Sequence, residues 1–241
     1  MPELEAITTH STAEVQAIYD KAYTTPGLMG THLDGEYSRV TKTALLDFCR
    51  AAPNQRLLDL GTGDGDLWAF AGPGLEWHAV DISQVGVARA QARFTRLRPA
   101  VAIAEQLPYP DNFFGAIIAA DTMEHVFDLK QSLHEIRRVL APGGHFALSV
   151  PAPKSLQTWA KNHFLRQSPN PRLLLRLLRT VFKRQRLFGK AAFQPIDRDL
   201  SLPHWYTLLQ NQGFHIQRSA LWPVTPLEPM VYLLGTTIAG K

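Results

Sequence analysis

The segment LLDLGTGDGDL, residues 57–67, opens as an apolar run and crowds three glycines and three aspartates into eleven residues. A short apolar run that breaks into glycines reads as a buried strand turning sharply, with a backbone bare enough for a ligand to approach it. In an open parallel sheet, ligands bind outside the carboxyl ends of the strands, beside the first strand. GTGDGDL falls at that place if QRLLDLG (55–61) is strand one.

Outward from this turn the chain alternates. EWHAVDIS (76–83), AVAIAE (100–105), FFGAIIAAD (113–121) and HFALSVP (145–151) read as strands two to five. Between them lie a helical start at DLWAFAG, a helix at VGVARAQARFTRLR (85–98), and an amphipathic helix at LKQSLHEIRRVL (129–140) stopped by Ala-Pro-Gly-Gly. Strands alternating with helices specify right-handed crossovers and a mostly parallel sheet. Upstream, residues 11–23 form a helix opened by Ser11 or Thr12, the stretch 24–37 is irregular, and residues 38–51 form a second helix ended by Pro53-Asn54. Downstream, SLPHWYTLLQNQGF (201–214) is a helix closing near Gly213. HIQRSALW (215–222) and MVYLLGTTIA (230–239), joined by a proline-rich turn, should pair as an antiparallel hairpin at one sheet edge.

A chain of 241 residues suits one α/β domain with an insertion, and no stretch is as long and apolar as a spanning helix. The opening residues lack the basic and apolar regions of a secretory signal, which points to a cytoplasmic protein. Cys49, the one cysteine, sits in an apolar helical pattern and reads as a buried small hydrophobe, so a cysteine metal cluster is excluded. The net charge of +4 conceals an asymmetry. Ten Lys or Arg and no acid lie between Lys154 and Lys190, and the rest of the chain carries 15 basic and 21 acidic residues, a net −6.

The nicotinamide dinucleotide pattern needs a third glycine where this chain has Asp66. Asp59, Asp64 and Asp66 would repel a pyrophosphate, so a ligand bearing an amino group or hydroxyls fits better. Asp81, ending strand two, stands where a carboxylate accepts from both hydroxyls of a ribose. Glu105 and Gln106 follow strand three and could meet a purine. Together the strand ends describe a nucleoside with an amino-acid-like tail.

These motifs, with AEQLPYPDNFFGAIIAADTMEHV and LHEIRRVLAPGGHFALSVP, resemble the class I S-adenosylmethionine-dependent methyltransferases, on the branch that includes the ubiquinone and menaquinone biosynthesis enzymes. The likeness runs from Arg56 to Pro151 and more weakly beyond. It implies a Rossmann-like seven-stranded sheet of order 3-2-1-4-5-7-6, helices on both faces, and a helical insertion after strand five. One methyltransferase domain would then divide into N-terminal lid helices (1–54), a cofactor-binding core (55–151), a basic helical insertion (152–200), and a final helix with the hairpin (201–241). It implies S-adenosylmethionine as cofactor. Asp59, Gly61, Thr62, Gly63 and Gly65 would surround the methionine moiety, Asp81 the ribose and Ile82 the adenine. Asp121 would lie near the amino group or the methyl. Where the family often has an aspartate before its Leu-Pro, this chain has Ile103, so Glu105 or the backbone near Gln106 would replace that contact.

The methyl arrives activated, so alignment and water exclusion are the main demands, and a base is needed only for an acceptor that must lose a proton. Candidates are His125, His32, Tyr23 and His204, each of which also has an ordinary packing role. Tyr19 and Tyr23, one helical turn apart, could close over the cofactor or simply anchor the helix. Residues 170–188 place Arg172, Arg176, Arg179, Lys183 and Arg186 on one helical face and Leu, Val and Phe over the rest. That basic amphipathic helix is a lid, an anionic-membrane contact, or a dock for an acidic partner, and it favours a lipophilic acceptor at oxygen or carbon. Nucleic acid is disfavoured, because aromatics are not interleaved with the basic residues. Competing readings are nitrogen methylation, a non-catalytic protein of the same fold, and a nicotinamide dehydrogenase.

Overall fold

The computed structural model describes residues 9–25, 36–71, 74–153, 195–222 and 231–238. The predicted basic helix 170–188 and His32 lie outside them. Seven strands form one sheet: β1 (Arg56–Leu60), β2 (Glu76–Asp81), β3 (Arg98–Val101), β4 (Phe114–Ala120), β5 (Leu140–Pro151), β6 (Phe214–Trp222) and β7 (Val231–Ile238). Their order is β3-β2-β1-β4-β5-β7-β6, as the resemblance implied. The first five strands run parallel, and β7 pairs antiparallel with both β5 and β6.

Burial on both faces accounts for the apolar strands. Leu58 and Leu60 point into one core with Ile117, Phe146 and Leu148; that core is capped by α4 (Leu129–Val139) and α5 (Leu202–Asn211). Leu57 points into the other, with Trp77, Ala79 and Ile118, covered by α2 (Glu36–Cys49) and α3 (Gln84–Arg93). Alternate residues of one strand thus serve opposite layers. Cys49 is buried in the second core, as its apolar setting predicted.

The first helix, α1 (Thr12–Thr24), starts with reciprocal bonds: the Ser11 hydroxyl accepts from the Glu14 N–H, and the Glu14 carboxylate accepts from the Ser11 N–H. Four elements depart from expectation. Helix α3 stops at Arg93, five residues early, and β3 starts at Arg98, because the residue before Pro99 is driven to extended backbone. Residues 102–105 then turn instead of extending, since the partner strand β2 ends at Asp81; a bridge joins Ile103 to Gln106. Ala-Pro-Gly-Gly does stop α4 but leads directly into β5, whose register against β4 shifts across residues 141–144, opposite Gly115. A bulge accommodates Pro142, which could not donate to a regular ladder. DLWAFAG forms only one short 3-10 turn, Asp66–Phe70.

Candidate functional site

A cleft opens where β1, β2 and β4 end, and it is lined by residues from α1, the strand ends and the segment before α4. Tyr19, Tyr23, Gly61, Asp81, Ile82, Glu105, Asp121 and His125 all border it. Asp59, Thr62, Gly63, Gly65 and Gln106 do not; they shape the cleft from behind or stand beside it.

The glycine turn is held by β2. The Gly61 N–H donates to the Val80 carbonyl at 2.7 Å, and the Thr62 N–H donates to the same oxygen at 3.0 Å. Gly61 and Gly63 have φ of +76° and +57°, and added Cβ atoms would strike the Thr122 side chain and the Tyr23 hydroxyl. Both positions therefore require glycine for conformation and for space. Asp59 lies beneath the turn and accepts from the Thr62 hydroxyl at 2.7 Å. Burial pushes its carboxyl up to about 7, against the pull of the Thr62 bond and the nearby Lys42 charge.

Asp64 and Asp66 do not face the cleft. Arg93 Nη1 sits 3.1 Å from a carboxylate oxygen of each, and Lys42 Nζ is 3.9 Å from Asp66. Two of the three loop charges are thus answered by α3 and α2. The electrostatic bar to a pyrophosphate then rests on Asp59 and Asp81, a correction to the reading of three carboxylates surrounding the ligand.

Asp81 is the best prepared group. Its Oδ2 accepts from the Gly63 N–H and its Oδ1 from the Ser83 N–H, both at 2.8 Å. Those two bonds fix the carboxylate plane and leave acceptor capacity toward the cleft. Burial pushes its pKa up to about 6, although both backbone bonds favour the charged form. Ile82 and Ile103 add apolar walls beside it. A vicinal diol flanked by a flat base fits this setting.

A link from α1 escaped sequence reasoning. Ser83 caps α3, its hydroxyl accepting from the Gly86 N–H and donating to Asp20 Oδ1 at 2.6 Å; the Val85 N–H donates to the same Asp20 oxygen. A carboxylate 63 residues upstream thus closes the N-terminus of α3, and no spacing rule reveals that. On the next turn Tyr19 and Tyr23 border the cleft, and burial together with the Asp81 charge pushes both phenols upward. They can donate and exclude water, but ionisation there is opposed.

On the opposite side, Asp121 holds φ +51°, its backbone and side chain tied to Ser149. His125 Nδ1 donates to the Ile196 carbonyl at 2.6 Å, which leaves Nε2 as the basic nitrogen, 3.7 Å from Glu124 Oε1. Burial lowers the His125 pKa and raises that of Glu124, whose carboxyl also faces the Asp121 charge. Glu105 borders the cleft, but its Oε1 accepts from the Asp128 N–H at 2.9 Å, at the start of α4. Gln106 is exposed in the adjacent turn. His204 bonds Ser201 at the start of α5 and is not among the residues bordering the cleft. Among the described residues no group of three His, Cys, Asp or Glu side chains is placed to hold a metal ion, and no helix is long and apolar enough to cross a membrane.

A glycine turn after β1, an acid ending β2 and a sheet of this order are the features that the resemblance to the class I S-adenosylmethionine-dependent methyltransferases implied. Residues 58–148 match the methyltransferase domain family. The ubiquinone/menaquinone biosynthesis C-methyltransferase of Vibrio cholerae is 36% identical over 127 residues, which are 48% of this chain and 49% of that protein. The chain spans about half the length of the curated relatives it matches. Among solved structures, the cyclase SpnF superposes with a TM-score of 0.68 at 17% identity, covering 98% of this chain and 99% of that one. A Burkholderia thailandensis 1,6-didemethyltoxoflavin-N1-methyltransferase, solved with its substrate and S-adenosylhomocysteine, gives 0.64 at 17% identity, covering 98% and 93%.

Proposed function

We propose that this chain transfers a methyl group from S-adenosylmethionine to a small, lipophilic organic acceptor, at carbon in preference to oxygen. The observation that carries the reading is Asp81, pinned by the Gly63 and Ser83 N–H groups so that its carboxylate meets the cleft where a ribose diol would lie. S-adenosylmethionine bound there supplies an activated methyl on a sulfonium. Ile82 and Ile103 would cover the adenine, and the Gly61 turn and Asp121 would border the amino-acid tail. Tyr19 and Tyr23 exclude water from the mouth. The carbon preference comes from the C-methyltransferase relatives.

The acceptor would sit against Val15, Val126 and Phe127, which make that side of the cleft apolar. His125 faces the same space as a neutral imidazole, oriented through Nδ1 and able to take a proton on Nε2 from an acceptor carbon or hydroxyl. The basic segment 170–188 belongs to the reading as the way in for a lipophilic acceptor, through contact with an anionic membrane or acidic partner in the cytoplasm. Isothermal calorimetry with S-adenosylmethionine tests the cofactor, and transfer of labelled methyl to a quinol lacking the ring methyl tests the acceptor. No heat of binding in the wild type would sink the enzyme reading, whereas binding without transfer to any quinol would sink only the acceptor.

A further inference from the structure

We infer that Arg198 is a positioning residue, holding His125 and the Val126–Phe127 wall in the geometry that receives the acceptor; the inference rests on the methyl-transfer reading above. Residues 196–200 alternate in burial: Ile196, Arg198 and Leu200 turn inward and Asp197 and Asp199 outward. The middle inward position, where an apolar residue would be expected, is a guanidinium only 8% exposed. Burial of such a group is costly unless hydrogen bonds replace water.

The bonds explain the choice. Arg198 Nη1 donates to the Val126 carbonyl and Nη2 to the Phe127 carbonyl at 2.7 Å, while its own N–H donates to the Glu124 carbonyl at 3.1 Å. Val126 and Phe127 precede the cap of α4, so their carbonyls lie outside the helical ladder and need partners from elsewhere. The planar fork of arginine reaches two adjacent carbonyls, which a lysine ammonium cannot match. Two residues back in the same segment, the Ile196 carbonyl accepts a hydrogen bond from His125 Nδ1. From the other side Glu105 holds the Asp128 N–H. The segment 124–128, which supplies His125, Val126 and Phe127 to the cleft, is therefore clamped between Glu105 and the extended segment 196–198. None of these contacts involves the Gly61 turn or Asp81, so cofactor binding and acceptor geometry should separate on substitution.

The test uses the full chain with 15N-labelled histidine. Arg198→Met should leave calorimetric affinity for S-adenosylhomocysteine within about twofold while altering the His125 tautomer pattern. The ring faces Glu124, Asp121, Asp197 and Arg198. Removing the Arg198 charge should make His125 titrate at higher pH. Arg198→Lys should restore the resonances part-way. With the demethylated quinol as acceptor probe, KM should rise more than kcat falls. A purely structural arginine would lower the melting temperature and leave the His125 resonances of the folded protein unmoved, and that outcome overturns the inference. Should the Met variant not fold, the Lys variant decides on the same resonances. Failure of the wild type to bind S-adenosylhomocysteine would overturn the parent reading instead and is seen before any variant is made.

Discussion

Asp81 shows how a site is assembled from groups that would be unremarkable alone. A carboxylate at the end of a buried strand is desolvated, and two N–H groups keep it chargeable near neutrality. Asp81→Asn removes a charged acceptor from the diol, a loss of about 1.5–3 kcal/mol, or roughly 10- to 150-fold in the calorimetric Kd for S-adenosylmethionine. The wild type should also bind less well in acid. Below a pKa of about 6 a proton occupies the carboxylate and must leave before the hydroxyls can donate. Affinity should therefore weaken up to about tenfold per pH unit below that point and level off above it. A flat profile between pH 5 and pH 7.5 would show that Asp81 does not meet the ligand. At this scale the sequence was informative about Asp81 and the turn glycines, because strand-end position defines them. It misread Asp64 and Asp66, whose partners Arg93 and Lys42 come from helices that no local pattern associates with the turn.

At the scale of elements, α1 is tied to the site through α3. The chain of bonds from Asp81 through the Ser83 N–H and the Ser83 hydroxyl to Asp20 means that the mouth helix and the diol acceptor share one support. Asp20→Ala removes a capping acceptor from two donors, which costs about 1 kcal/mol and should weaken cofactor affinity about fivefold. Hydrogen exchange at Val85 and in α1 should rise together. Faster exchange in α3 with α1 unchanged would show that the two helices are not energetically joined. The start of α1 was legible where a cap marks it, at Ser11, whereas the end of α3 ahead of Pro99 was placed five residues too late. The latch was not, because it joins residues brought together only by the crossover packing.

For the molecule as a whole, alternation gave a mostly parallel sheet, and the resemblance carried by four ordered motifs implied the order of its seven strands, which the structure has. The cleft followed with it. What stayed hidden was the alternation in burial over residues 196–200, which is too short to separate from loop sequence. One consequence of building the cleft floor from buried acids is a penalty in the ligand-free state. With Asp59 titrating near 7 and Asp81 near 6, the folded chain binds more protons than the unfolded chain between about pH 4 and pH 7, so these groups make stability fall as pH rises across that window. Asp59→Asn should therefore gain about 1–3 kcal/mol on the wild type at pH 7.5 and little at pH 4, measured by urea unfolding at both values. Equal effects at both would mean that Asp59 is not held protonated by its surroundings. Ligand works in the opposite sense: S-adenosylhomocysteine at about a hundred times its Kd should add about 2.7 kcal/mol and raise the melting temperature in proportion to the logarithm of its concentration.

The position of β7 has a bearing on how the chain is made. β7 is the last strand in sequence, yet it lies between β5 and β6. On the ribosome, β6 emerges with no neighbour to pair with, and the exposed side of β5 stays open until the final strand has cleared the exit tunnel. Closure of the sheet thus waits for β7, which inserts into a waiting slot between β5 and β6. Nascent chains stalled before residue 231 should leave β5 accessible to chaperones and proteases.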